Sequence, residues 1–178
     1  MIDTIADIHN KKSPSEEMQD SIEPITHSVK KQVILLGSDH RGFNLKLLLR
    51  EHLINKHNYD VMDVGTHNTD SCDYPSTARS LCKELVNQVI KGILICGSGF
   101  GMSISANRKM GVHAVTCRTV DEVEVARQHG DVNVLCIGSD FTSDVETIRI
   151  IDTFLNTKFS GEERHLKRIK MIDDDDNE

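Results

Sequence analysis

The 178-residue sequence contains no tryptophan, and aromatic residues make up only 4% of it. A core built from such a chain must be aliphatic, assembled from Val, Ile, Leu and Ala. No stretch approaches the roughly 20 apolar residues of a membrane-spanning helix. No apolar run follows a basic start, so a secretory signal is not expected, and the N-terminal region is too acidic for an ordinary transit peptide. A basic surplus is missing too. The formal net charge is −7, which argues against a general role on nucleic acid or an anionic membrane. Any anionic ligand must therefore be held by a local cluster of basic groups. Close cysteine pairs are also absent. The five cysteines, Cys72, Cys82, Cys96, Cys117 and Cys136, are odd in number and lack zinc-site spacing. Cys96, Cys117 and Cys136 end or sit within apolar runs, as buried free thiols do. A disulfide framework is not expected, which places the chain in a reducing compartment, the cytoplasm.

Residues 1–31 are polar and carry Pro14, Pro24 and Glu16-Glu17; they read as a mobile N-terminal arm. Residues 173–178 are an acidic run, expected as a solvated tail. Between them the pattern alternates. Residues 32–37, 59–65, 92–97, 113–117 and 132–138 are short apolar runs, mostly closed by glycine, with the form of buried strands. Leu45, Leu48, Leu49 and Leu53 share one face of a helix, a polar helix follows Pro75, and another runs through Val123, Ala126 and Arg127. Ile148, Ile151, Phe154 and Leu155 line the helix that closes the core. Apolar strands each followed by a helix indicate an α/β domain over residues 32–160. It is a three-layer, doubly wound (Rossmann-like) fold around a parallel five-stranded sheet. Ligands of such folds sit beyond the carboxyl ends of the strands.

The segment ICGSGFGMS is the most informative. Gly97, Gly99 and Gly101 leave a strand and open a helix, so several backbone N–H groups can face one anion. It lacks the third glycine spacing of a dinucleotide site and the Lys-Ser/Thr of a P-loop; a tight turn without ligand is the plain alternative. Cys96 stands just before it, at a helix N-terminus that favours thiolate, unless it is only a buried structural thiol. GSDHRGF places Asp39 and His40 after the first strand, CDYP offers Asp73 and Tyr74, and RQHGD puts His129 in the loop before the last strand. A metal site among these is disfavoured, because no His-x-His or Cys-x-x-Cys accompanies them. ERHLKRI carries Arg164, Lys167 and Arg168 at helical spacing, either as a solvated basic face or as a phosphate grip.

Taken together and in order, GSDHRGF, DVGTHNTDSCDYP, GILICGSGFGMSISANR, ARQHGDVNVLCIG and ERHLKRI resemble the type B ribose-5-phosphate isomerases, a family that includes galactose- and allose-6-phosphate isomerases. The likeness spans residues 32–172. It implies an aldose–ketose isomerase of the pentose phosphate pathway that interconverts ribose 5-phosphate and ribulose 5-phosphate. It also implies that the enzyme works without metal or cofactor, as a homodimer or homotetramer with shared sites. By the resemblance, Cys96 moves the proton between C1 and C2, Ser98 shuttles the hydroxyl proton, and His129 opens the furanose ring. Asp39, His40, Tyr74, Gly97, Gly99, Phe100, Gly101 and Gly130 match substrate-binding positions. Arg164 and Arg168, on a C-terminal helix at 161–172, match arginines that hold phosphate in a partner's site. Three positions depart from the pattern: Gly130 where Asn is usual, Asp140 where Arg often helps with phosphate, and Ser98 where Thr is common. An acid at 140 repels phosphate or requires a rearranged pocket. A six-carbon substrate, or a sugar-phosphate sensor without turnover, are the alternatives.

Overall fold

The computed structural model describes residues 31–85 and 90–174. The expected arm, apart from Lys31, and the last four residues of the expected tail lie outside them. Five strands, β1 (Val33–Ser38), β2 (Asp60–Asp63), β3 (Lys91–Cys96), β4 (Ala114–Thr116) and β5 (Val134–Gly138), form one parallel sheet in the order β2-β1-β3-β5-β4. The helices are α1 (Phe43–Asn55), α2 (Tyr74–Leu85), α3 (Phe100–Ala106), α4 (Val120–Gly130), α5 (Asp144–Asn156) and α6 (Glu163–Asp174).

Side chains alternate across the pleat, and both faces are apolar. Ile34, Leu36, Ile93, Ile95, Leu135 and Ile137 pack under α1, α4 and α5 through Leu49, Val123, Ile151 and Phe154. Leu35, Leu94, Cys96, Val134 and Cys136 pack under α2 and α3 through Leu81, Cys82, Met102 and Ala106. This is the expected three-layer arrangement. The two edge strands are shorter than their apolar runs: β2 loses Tyr59 and residues 64–65, and β4 loses His113 and Cys117. Two helix starts follow local chemistry. Ser143 caps α5 by accepting from the Glu146 N–H at 3.3 Å, and Thr119 caps α4 by accepting from the Glu122 N–H at 3.3 Å. The acidic tail begins later than expected, because α6 runs through Asp173 and Asp174.

Strand order positions the site. β1 passes to β2 on one side, while β3 lies on the other, so the connections leaving β1 and β3 diverge and open a crevice at their carboxyl ends. Beside it, Lys46 is buried inside the otherwise apolar face of α1. Its ammonium pairs with Asp63 at 2.7 Å and also donates to the Thr66 carbonyl, pinning the loop after β2.

On the same layer, between α1 and α5, His52 and His57 converge on one oxygen of Asp152 at 2.6 and 2.9 Å, and Lys56 holds the other at 3.0 Å. Burial alone would raise the Asp152 pKa, but hydrogen bonds from His52, Lys56 and His57 outweigh it and hold the carboxyl below its usual range. A carboxyl depressed on folding contributes stability above its unfolded pKa of about 3.9, and this is lost as pH falls through the folded value. Asp152→Asn should therefore lower stability by about 1 kcal/mol at pH 7, or about 2–4 °C for a domain of this size. The gap between the melting curves of the two proteins should narrow as pH falls from 7 to about 3, because the wild-type carboxyl takes up its proton on the way down. An equal gap at both pH values would remove the charge from the explanation.

Candidate active site

Cys96 is the last residue of β3 and is 4% exposed. The Gly99 N–H donates to its Sγ at 3.2 Å, so the turn that follows folds back over the sulfur. That turn depends on glycine. Gly99 caps α3 at φ 81°, a left-handed conformation, and a Cβ there would lie 2.7 Å from Thr116 Cγ2. The end of β5 straps the same backbone: Ser139 N–H donates to the Cys96 carbonyl at 2.9 Å and Asp140 N–H to the Gly97 carbonyl at 3.0 Å. Ser98 Oγ, two residues beyond the thiol, is partly exposed and accepts from the Phe100 N–H at 3.4 Å.

The connection leaving β1 forms the facing wall. Asp39 uses one carboxylate oxygen to accept from the Arg41 and Gly42 N–H groups at 2.9 and 3.1 Å, shaping the entry to α1. His40 Nδ1 accepts from the Cys72 N–H at 3.2 Å, so the neutral ring carries its proton on Nε2. The Tyr74 ring lies on Gly101, where an added Cβ would be 2.5 Å from its Cζ. Two arginines not anticipated from sequence complete the rim. Arg41 lies over Gly97 and pairs with Asp140, which answers the concern that an acid stands at that position. Arg118 is sandwiched between Phe100 and Phe141, its guanidinium carbon 5.2 and 4.9 Å from the two ring centroids. The sequence signal for Arg41 was its place inside GSDHRGF, but nothing local ties it to residue 140.

His129 requires a correction. It was expected in the loop before the last strand, but it lies in the last turn of α4, which continues through Gly130 to a left-handed cap at Asp131 with φ 42°. Because α4 runs back against the strands, His129 sits where β5 begins. That is about 15 Å of strand from where β5 ends beside Cys96. Its ring stacks on His165 of α6, with centroids 4.3 Å apart and planes at 10°. Arg164 and Arg168 lie on that same helix, and Arg164 pairs with Glu162 at 2.8 Å. The far end of α6 is tied by His113 Nε2 to Asp173 at 2.8 Å. Desolvation pushes the His165 pKa below the usual imidazole range, helped by the neighbouring His129 and Arg164. The expected residues thus fall into two groups. Asp39, His40, Tyr74, Cys96, Gly97, Ser98, Gly99, Phe100 and Gly101 meet at the carboxyl end of the sheet, whereas His129, Gly130, Arg164 and Arg168 gather at the other.

Residues 34–172 match the family model described as Ribose/Galactose Isomerase. The chain belongs to that family. This isomerase is 37% identical over 140 residues to ribose-5-phosphate isomerase B of Escherichia coli, a match covering 78% of this chain and 93% of the relative. It superposes on ribose-5-phosphate isomerase B of Mycoplasma genitalium with bound ribulose-5-phosphate at a TM-score of 0.78 and 38% identity, covering 82% and 97% of the two chains. The Clostridium thermocellum ribose-5-phosphate isomerase B gives a TM-score of 0.79 at 35% identity, covering 82% and 98%. Among the described residues of the isomerase, the one cluster of metal-ligand types is His52, His57 and Asp152. It lies between α1 and α5, with its carboxylate already engaged by both rings and by Lys56.

Proposed function

We propose that this isomerase interconverts ribose 5-phosphate and ribulose 5-phosphate through an enediolate, in sites completed by a second copy of the chain. The observation that carries the reading is the Cys96 thiol at a strand end, enclosed by a glycine turn that opens α3 and folds its Gly99 N–H back onto the sulfur. Moving the carbonyl from C1 to C2 removes the proton on C2 and returns it to C1. Cys96 acts as that base, a role typically worth about 10² to 10⁴ in rate. The N–H groups of residues 97–101 stabilise the oxyanion that develops in between. Ser98 passes the hydroxyl proton between O2 and O1.

Ring opening and phosphate binding need groups that one chain does not bring to Cys96. His129, Arg164 and Arg168 share one surface, so a twofold partner that delivers the arginines delivers the histidine with them. Phe100, Ile104, Phe141 and Val145, between 51% and 72% exposed, supply apolar surface around the crevice for that partner to cover. Five free thiols suit the reducing cytoplasm. The test is ketose formation from ribose 5-phosphate by the purified chain, run beside allose 6-phosphate and galactose 6-phosphate. A kcat/KM at least about tenfold higher for the five-carbon substrate, or about 1.4 kcal/mol of discrimination, is expected. Turnover of none of the three would overturn the reading.

A further inference from the structure

A chain with net charge −7 that binds a phosphate ester must place a cation where the phosphate arrives. Arg164 and Arg168 stand at the wrong end of their own sheet to serve the crevice of the same chain. At the crevice itself, two carboxylates, Asp39 and Asp140, would repel an anion if left bare. Arg41 engages both. Its backbone N–H donates to Asp39 Oδ1 at 2.9 Å, and its guanidinium pairs with Asp140 through Nη2. Its carbonyl accepts from Ser139 Oγ at 3.2 Å, so the residue is fixed at both main-chain groups and at the head of the side chain. The guanidinium lies flat against the bare face of Gly97. A Cβ added there would meet Arg41 Nε at 2.6 Å and Cζ at 2.9 Å. The head group therefore rests over the residue that follows Cys96. More than half of its side-chain surface, 56%, remains exposed.

We propose that Arg41, oriented by Asp140, is the phosphate-binding group that the chain contributes to its own site. This rests on the reaction proposed above. Guanidinium carries five N–H donors in a planar fork. Asp140 occupies Nη2, and the remaining edge is free to meet phosphate oxygens. Asp140 has two roles in this arrangement. It holds the fork over the glycine turn, and its own charge is cancelled in doing so. Arg118 serves differently, because its guanidinium is held between two phenyl rings.

The experiment measures KM and kcat for ribose 5-phosphate, together with calorimetric affinity for inorganic phosphate, in four proteins: wild type, Arg41→Ala, Arg41→Lys, and Arg41→Ala combined with Asp140→Asn. Arg41→Ala should raise KM about 10- to 100-fold, the size of a charge-assisted hydrogen-bond loss, and weaken phosphate binding in parallel. Its kcat should change less, because the phosphate it binds is carried on C5 and takes no part in the proton transfer between C1 and C2. Arg41→Lys should recover part of the loss. The double variant should bind phosphate more tightly than Arg41→Ala, since the exposed acid has gone. A merely structural Arg41 would lower the melting temperature and leave KM and phosphate affinity within about twofold of wild type, and that result overturns the proposal while the reaction stands. If wild type turned over none of the sugars, the reaction would fall, and the phosphate affinities would still decide the role of Arg41.

Discussion

Cys96→Ala should reduce turnover at least 10³-fold, within the range a lost general base accounts for, while the protein stays folded. The thiol's buried neighbours pack against β3 from α2 and α3 without needing sulfur, and one missing atom costs about 1 kcal/mol in a well-packed core. Cys96→Ser keeps an acceptor for the Gly99 N–H but supplies a far weaker base, so it should be folded and nearly as inactive. Alkylation offers an independent readout. Burial pushes the Cys82 thiol up to about 11 and the Cys117 thiol to about 12, and raises Cys136 well above the ordinary thiol range. These three stay protonated at neutral pH and resist alkylation. In a Cys72→Ser background, inactivation by iodoacetamide should track modification of Cys96 alone, and ribose 5-phosphate should slow it. Activity of Cys96→Ala within tenfold of wild type would sink the assignment.

The second expected result is recovery of activity from two inactive chains. Take one variant with Cys96→Ala and another with His129→Asn; each refolded alone should be nearly inactive toward ribose 5-phosphate. In a mixed dimer, the intact Cys96 of one chain meets the intact His129 of the other, while the second site carries both defects. Equal random mixing makes about half the dimers mixed, so roughly a quarter of wild-type activity should return. Arg164→Ala with Arg168→Ala should substitute for His129→Asn in the same experiment, because all three residues sit on one surface. If His129 served the Cys96 of its own chain, the first mixture would stay inactive and only the arginine mixture would recover. No recovery in either mixture, with subunit exchange verified by mass spectrometry, would refute the shared site.

The sheet was legible because buried parallel strands are apolar on both faces, and runs such as residues 92–97 have no alternative use. The glycine turn was legible because left-handed φ and close backbone approach admit few other residues. Contacts between distant segments were not. Arg41 and Asp140 are 99 residues apart, and Lys46 reads as a flaw in the apolar face of α1 until Asp63 and Thr66 are brought beside it. His129 was misplaced for two reasons. The pair Gly130-Asp131 looks like a helix stop, yet α4 takes in the glycine and ends on the left-handed aspartate. Whether in helix or loop, a residue between α4 and the parallel strand β5 lies where that strand begins, so connectivity alone puts the ring at the end of the sheet opposite Cys96. The histidine on which it stacks, His165, lies 36 positions further on, beyond any helical period.

Each glycine of the turn after Cys96 has its open face occupied by something else: Gly97 by the Arg41 guanidinium, Gly99 by Thr116 and the β5 backbone, and Gly101 by the Tyr74 ring. The turn is thus braced from three directions before any sugar arrives. Orienting its N–H dipoles becomes a cost of folding, met once per molecule, and not one repeated in every catalytic cycle. Slack introduced at any of the three braces should therefore register as a slower chemical step even where the folded protein is hardly less stable.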